Sequence, residues 1–279
     1  DISIGGSTRA YMEGTVVGSG GTGAGANNLT VTSRAENNAE VDAAALSGGT
    51  ISVSGAVATA TVSPTVGAWL GSGNVTVSEN VTITSESLAG ADADSFGIAV
   101  GLAGAVGVSI SSATITPTIN TYIGGGTITA GNITLTSRHN VNESGSALDQ
   151  KADAHSTAPS GSLFASGAGA DADAESSAKL DTYVGNGAKL VAVGGDIAVA
   201  SVSSNEAVAK TEGIAVSGGV AVGASLATAI VGGETKAHMD GTISDGAGTG
   251  AGAQDLTITA KAYADADAQA VAVGGGGIV

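Results

Sequence analysis

The stretch Tyr122-Ile123-Gly124-Gly125-Gly126, followed by Gly131-Asn132-Ile133-Thr134-Leu135-Thr136-Ser137, carries the pattern on which the fold turns. A ring and an aliphatic residue run into glycines. Then an Asn, a residue whose side chain bonds nearby backbone and sets turns, opens a segment where aliphatic residues alternate with Thr. Alternation at period two marks a strand with one apolar face.

Both halves recur along the chain. The ring position is filled by Tyr11, Trp69, Tyr122, Tyr183 and His238, at spacings of 58, 53, 61 and 55 residues. The alternating segment returns as Asn28–Ser33, Asn80–Ser85, Asn132–Ser137, Asp196–Ser201 and Asp255–Ala260. Small residues alternating with acids come next, as in Ala91-Asp92-Ala93-Asp94, and then Gly/Ala/Val runs such as Ser52–Val62, Ile98–Ile110 and Ile214–Val231. Gly5–Ser33 aligns without gaps on Gly232–Ala260, with 16 of 29 positions identical, so the first and fifth units share a phase. The chain reads as one continuous array, with repeats at approximately 7–64, 65–117, 118–177, 178–233 and 234–279, and is expected to be a segment of something longer. The terminal Gly274–Val279 run reads as the start of a further Gly/Val strand.

Composition narrows the class. Of 279 residues, 46 are Gly and 52 Ala, only 7 are aromatic, 3 are Pro and none is Cys. Gly without a period of three excludes collagen, and the missing Cys excludes disulfide scaffolds and thiolate metal sites. Nine bases against 25 acids, a net charge of −16, disfavour nucleic acid as a partner. Residues 95–137 and 213–233 carry no formal charge, but Gly, Ser and Thr crowd them at period two, so no transmembrane span is expected. Ala is a helix former, yet it sits at alternate positions here, so strand wins. Stacking each repeat on the next hides strand edges, which predicts an all-β, repetitive β-solenoid, parallel β-helix-like. At two or three coils per 57-residue repeat, the array would rise roughly 50–65 Å. The alternative is an antiparallel sandwich with one small domain per repeat.

These segments resemble the repeat regions of large bacterial filamentous adhesins, of the filamentous haemagglutinin and leukotoxin-like kind. The resemblance covers the whole chain. It implies a secreted or cell-surface β-rich stalk and carries no catalytic residues with it. Copies three and four depart from it: copy three has an extra stretch, Leu148–Phe164, and copy four replaces Thr by Ala. The expected function is structural, an adhesin shaft or polymerising extracellular fibre that associates with itself end to end or laterally. The alternative is a binding module for a surface glycan, acting through the five ring positions or the 148–164 insertion. Acidic charge, absent Cys and low complexity suit an extracellular location.

Candidate sites follow from the repeats. Asp92 and Asp94, Asp171 and Asp173, and Asp265 and Asp267 offer hard oxygen ligands for calcium, or else form a solvated acidic face. The Thr pairs read as an ordered-water or ice-binding face, or as plain Thr ladders. With several coils per repeat they would not fall on successive coils. His139, His155 and His238 lack metal-ligand spacing. Gly18–Gly25 is not followed by the Lys-Ser/Thr of a phosphate loop, and no Ser-centred triad is evident. No catalysis is expected.

Overall fold

The computed structural model describes residues 1–21, 23–245 and 252–277. Thr22, 246–251 and 278–279 lie outside, and with them parts of the Gly18–Gly25 segment, the 232–260 alignment and the terminal Gly/Val run. β1 (Ile2–Ile4) precedes the first repeat and pairs with the end of its return limb; the first repeat supplies β2 (Ser7–Met12) and β3 (Leu29–Val62), and the second β4 (Thr65–Leu70), β5 (Val75–Thr76) and β6 (Asn80–Ile115). The third holds β7 (Thr118–Ala130), β8 (Asn132–His139), β9 (Ala152–Ser162) and β10 (Ala165–Ser176). The fourth holds β11 (Lys179–Ala192), β12 (Ile197–Ser217) and β13 (Val220–Val231), and the fifth β14 (Glu234–Met239), β15 (Thr242–Ile243) and β16 (Leu256–Gly276).

The chain is all-β, built on two long parallel sheets. The short sheet runs β14-β11-β7-β4-β2, and the long sheet β1-β3-β6-β8-β12-β16, with β9 and β10 also pairing to β6. Every pairing between these strands is parallel, which overturns the antiparallel sandwich. Each repeat pairs once with the next, position by position: Leu29 with Val81, Val81 with Ile133, Ile133 with Ile197, and Ile197 with Leu256. There is thus one rung per repeat, not two or three coils. Strand spacing then gives five rungs a rise of roughly 20–25 Å, well short of the sequence expectation.

The Gly/Ala/Val runs are not single strands. Within β6 the pairing with β3 ends at Gly101 and resumes at Gly104, and β12 and β13 are separated by Gly218 and Gly219. The chain reverses there, so each rung has an outgoing limb and a return limb lying face to face. A methyl group on Gly97 would run into the carbonyl oxygen of Val108, and one on Gly213 would come 2.5 Å from that of Ala224. Only glycine allows the limbs to approach this closely.

Inward side chains shrink along each rung. At one end Leu70, Ile123 and Val184 of the short sheet pack on Ile83, Ile133, Leu135 and Val199 of the long one. Midway, Ala39, Ala91, Ala152 and Ala207 meet Ala60, Ala113 and Ala174. Near the reversal the interior is Gly, Ala and Ser, with Ser109 donating to Ser95 at 2.7 Å and Ser54 to the carbonyl of Ala45 at 2.8 Å. Close packing makes sheet separation follow side-chain volume, so each rung is a wedge with a thick base and a thin tip.

Candidate functional site

At the base, the strands of the short sheet place inward and outward residues alternately. Ala10, Ala68, Thr121, Thr182 and Ala237 face in, and the ring positions face out. One rung per repeat brings the five rings into a single column. Tyr11 stacks on Trp69, Trp69 on Tyr122, Tyr122 on Tyr183 and Tyr183 on His238, with centroids 4.6, 5.6, 5.0 and 5.2 Å apart and planes within 8° of parallel. The faces of the inner rings are therefore occupied by each other, and their edges meet solvent. A sugar stacking on a ring face would find one only at Tyr11 or His238. Acids anchor the second ring of the column and the last. Trp69 Nε1 donates to Glu13 at 2.9 Å, and His238 lies 3.3 Å from both Asp181 and Asp240. Burial within the stack pushes the phenols of Tyr122 and Tyr183 up.

Across the base, the long sheet carries a second ladder. Asn80 donates through its backbone and side-chain nitrogens to Asn28 Oδ1, both at 3.0 Å. Asn132 donates to Asn80 at 2.9 Å, the Asp196 backbone to Asn132 at 2.9 Å, and the Asp255 backbone to Asp196 at 3.1 Å. These side chains bind the next rung rather than setting turns within their own. The Thr pairs also stand on successive rungs, contrary to expectation: Thr30, Thr82, Thr134, Ala198 and Thr257 form one column, and Thr32, Thr84, Thr136, Ala200 and Thr259 the other. The residue closing each motif has a role that the sequence reading missed. Ser33, Ser85, Ser137 and Ser201 are buried. Ser33 and Ser85 donate to the backbone of the short sheet at Thr8 and Asn120. Ser137 joins Thr121 and Thr182, and Ser201 joins Thr182, at 2.6–2.8 Å. Its invariance at four of five copies was the available signal.

The acids face outward from the Ala slab. Asp92 stands between Glu40 and Asp153 on adjacent rungs, and Asp94 between Asp42 and His155. Partial burial, then Asp94, Asp153, Glu40 and Asp42, push Asp92 up to about 6. Asp94 is also raised, by burial first, against the lowering effect of His155 at 3.7 Å. Asp265 has Glu206 beside it, and Asp267 has Val208. Asp171 lies between Ile110 and Leu226, and Asp173 between Ser112 and Thr228, so this pair gains no oxygen ligand from a neighbouring carboxylate. The three pairs do not converge. Among the described residues no group of three or more His, Asp or Glu is arranged to hold a metal.

The interruption of copy three also moves. Ala152–Ser162 is a regular strand in register with β6 and β12, and its inward residues are Ala and Ser. The extra residues are those between β8 and β9. His139 to Ala152 spans thirteen positions where Ser87 to Ala91 and Ser203 to Ala207 span four. The expected 148–164 insertion is therefore 140–151. Alternating small residues made β9 look atypical because its outward positions hold His, Thr and Pro. Buried Asn140, at φ 49°, closes the seam. Its Oδ1 accepts from the Ala89 N–H at 2.8 Å and its Nδ2 donates to the Ala89 carbonyl at 2.9 Å, the two bonds that successive peptide groups of a parallel neighbour would make. The loop leads into a cleft of about 370 Å³ lined by Glu36, Asn38, Asp92, Asp149, Lys151 and Asp153. Lys151 lies 3.5 Å from Asp153 and neutralises part of that charge. Set beside known proteins, the chain matches no family model, no curated protein and no solved structure.

Proposed function

We propose that the chain is a β-solenoid segment of a secreted or cell-surface bacterial filament, an adhesin shaft or polymerising extracellular fibre, with a structural rather than catalytic role. The observation that carries this reading is the unbroken column register over five repeats, seen at Leu29, Val81, Ile133, Ile197 and Leu256 and again in the ring stack. Such pairing makes stability a sum over neighbouring rungs, so length adds strength without enlarging a core. Self-association by strand pairing belongs to the same proposal. Among the described residues β16 is hydrogen-bonded along one side only, and an open strand edge is a template for another chain. Electron cryo-microscopy and fibre diffraction test it. The expected results are rods and a reflection near 4.7–4.8 Å along the rod axis. Compact particles without that spacing would end the proposal.

A further inference from the structure

The thin tip has its polarity turned inside out. Its interior holds Ser, Gly and Ala, and some of its hydroxyls bond to each other or to backbone: Ser109 to Ser95, Ser95 to Ser156 at 3.2 Å, and Ser225 to the carbonyl of Val271 at 2.6 Å, whereas those of Ser160, Ser166, Thr211 and Ser217 are buried without a partner. Its exterior is aliphatic on both sides except on the third rung, whose outward positions are Thr157, Pro159, Gly167 and Gly169. Leu46, Val100 and Val216 project from the outgoing limbs, and Val53, Val106 and Val222 from the return limbs, all exposed. The reversals add Leu102, Leu163 and Phe164, which are 61%, 61% and 68% exposed. From the Phe96 column through the reversal to the Ile110 column, Glu212 and Asp171 are the only charged side chains among the described residues, and both lie at the margin nearest the base. Monomeric surfaces rarely expose contiguous apolar area on this scale.

We infer that this tip inserts into the hydrocarbon of a zwitterionic lipid bilayer. Three observations select lipid over other occupants. A second copy docked face to face would cover one side of the tip, whereas a fluid apolar medium covers both sides and the reversal together. Within the array the backbone is already satisfied where water would be lost, as lipid demands, and among the described residues open edges remain only on the outermost limbs, in β3, β13 and β16. On the second and third rungs both limbs are paired on both sides, and the reversals pair too: Leu163 N–H with the Leu102 carbonyl at 3.2 Å, and Val220 N–H with that of Phe164 at 2.9 Å. The arrangement of polar groups inside and aliphatic groups outside is the one that strands adopt in membranes.

Depth and headgroup follow from the same geometry. Phe96 to Leu102 is about 20 Å of strand, more than one leaflet and less than the roughly 30 Å hydrocarbon core, so the tip enters without spanning. Toward the base the outward columns turn acidic at Asp42, Asp94, Asp92 and Asp153. These acids repel anionic headgroups and stop at the interface, which selects a neutral surface.

The chain contains no Cys, so single labels are possible. The full chain carrying Leu102→Cys, labelled with an environment-sensitive fluorophore, is mixed with phosphatidylcholine vesicles. A blue-shifted emission that brominated acyl chains quench is expected, with no change for a label on Thr84→Cys at the base. Val106→Lys with Val222→Lys should weaken vesicle partitioning by about tenfold or more, while the circular dichroism of the sheet is retained. A label at position 102 that stays water-exposed at saturating lipid would overturn the inference. So would a blue shift that grows with protein concentration in the absence of lipid, which would mean that a second copy covers the tip.

Discussion

The base and tip of each rung use the same backbone pairing with opposite side-chain rules. At the base, Ile133 and Leu135 are fully buried and Thr134 and Thr136 point out. At the tip, Ser95 and Gly97 point in and Phe96 and Val100 point out. The difference lies in what faces each strand. Across the base two sheets stand apart and need volume between them. At the tip the outgoing limb meets its own return, and among the described residues the inward positions there hold nothing larger than Thr211. Apolar residues larger than Ala are excluded from the tip interior by size, and the hydrophobic effect does not decide their placement there.

Substitutions can break this contrast. The largest effect is expected from Ile133→Ala, which leaves a cavity in the base and should cost about 2–5 kcal/mol in denaturant unfolding. Val222→Ala removes the same kind of atoms from the tip exterior and should change stability by no more than about 0.5 kcal/mol. Equal losses would show that the tip's aliphatic face is covered in the isolated protein. Gly97→Val comes next. It adds volume where the limbs touch and should cost about 1–3 kcal/mol, with hydrogen exchange rising first in the tip amides of Ala99 and Val108.

Acidification sharpens the comparison more gently. Asp92, pushed up to about 6, holds its proton more tightly folded than unfolded, so its contribution to stability rises as pH falls from about 6 toward 4. His139 is fully buried near the base, and burial pushes it down to about 4. Its contribution is complete above the ordinary histidine value and is lost as pH falls from there toward 4. Thermal melts between pH 7 and 4 should therefore show opposed slopes once the two are separated. Asp92→Asn should make acid more destabilising, and His139→Ser, which copies Ser87 and Ser203 of the adjacent rungs, should make it less so. Identical profiles for the two variants would contradict these assignments.

Much of the base was legible in the sequence. The ring position and the Asn-aliphatic-Thr segment mark registers, and each aligns in space as it aligns in text. The rung count was not legible, because a reversal between two Gly/Ala/Val limbs has the same alternation as a single long strand. Gly101-Leu102-Ala103-Gly104 contains no Pro, Asn or Asp to announce it. Alternation also reports two faces without saying which is inside, and at the tip it is Val106 and Val108 that stand on the surface. The acid pairs looked equivalent in the text. Their neighbours differ because Asp171 and Asp173 belong to a return limb, and Asp92 and Asp94 to an outgoing one.

Asn140 has a consequence for how such a chain can grow. Its amide supplies the acceptor and donor that Ala89 would take from a continuous neighbouring strand, so the ladder passes the seam and β9 resumes its place. The number of residues spliced between positions 140 and 151 is thereby uncoupled from the alignment of everything downstream. The scaffold is modular in two independent directions: whole tiers lengthen it, and at a seam stitched by one side chain it can carry an excursion of arbitrary size.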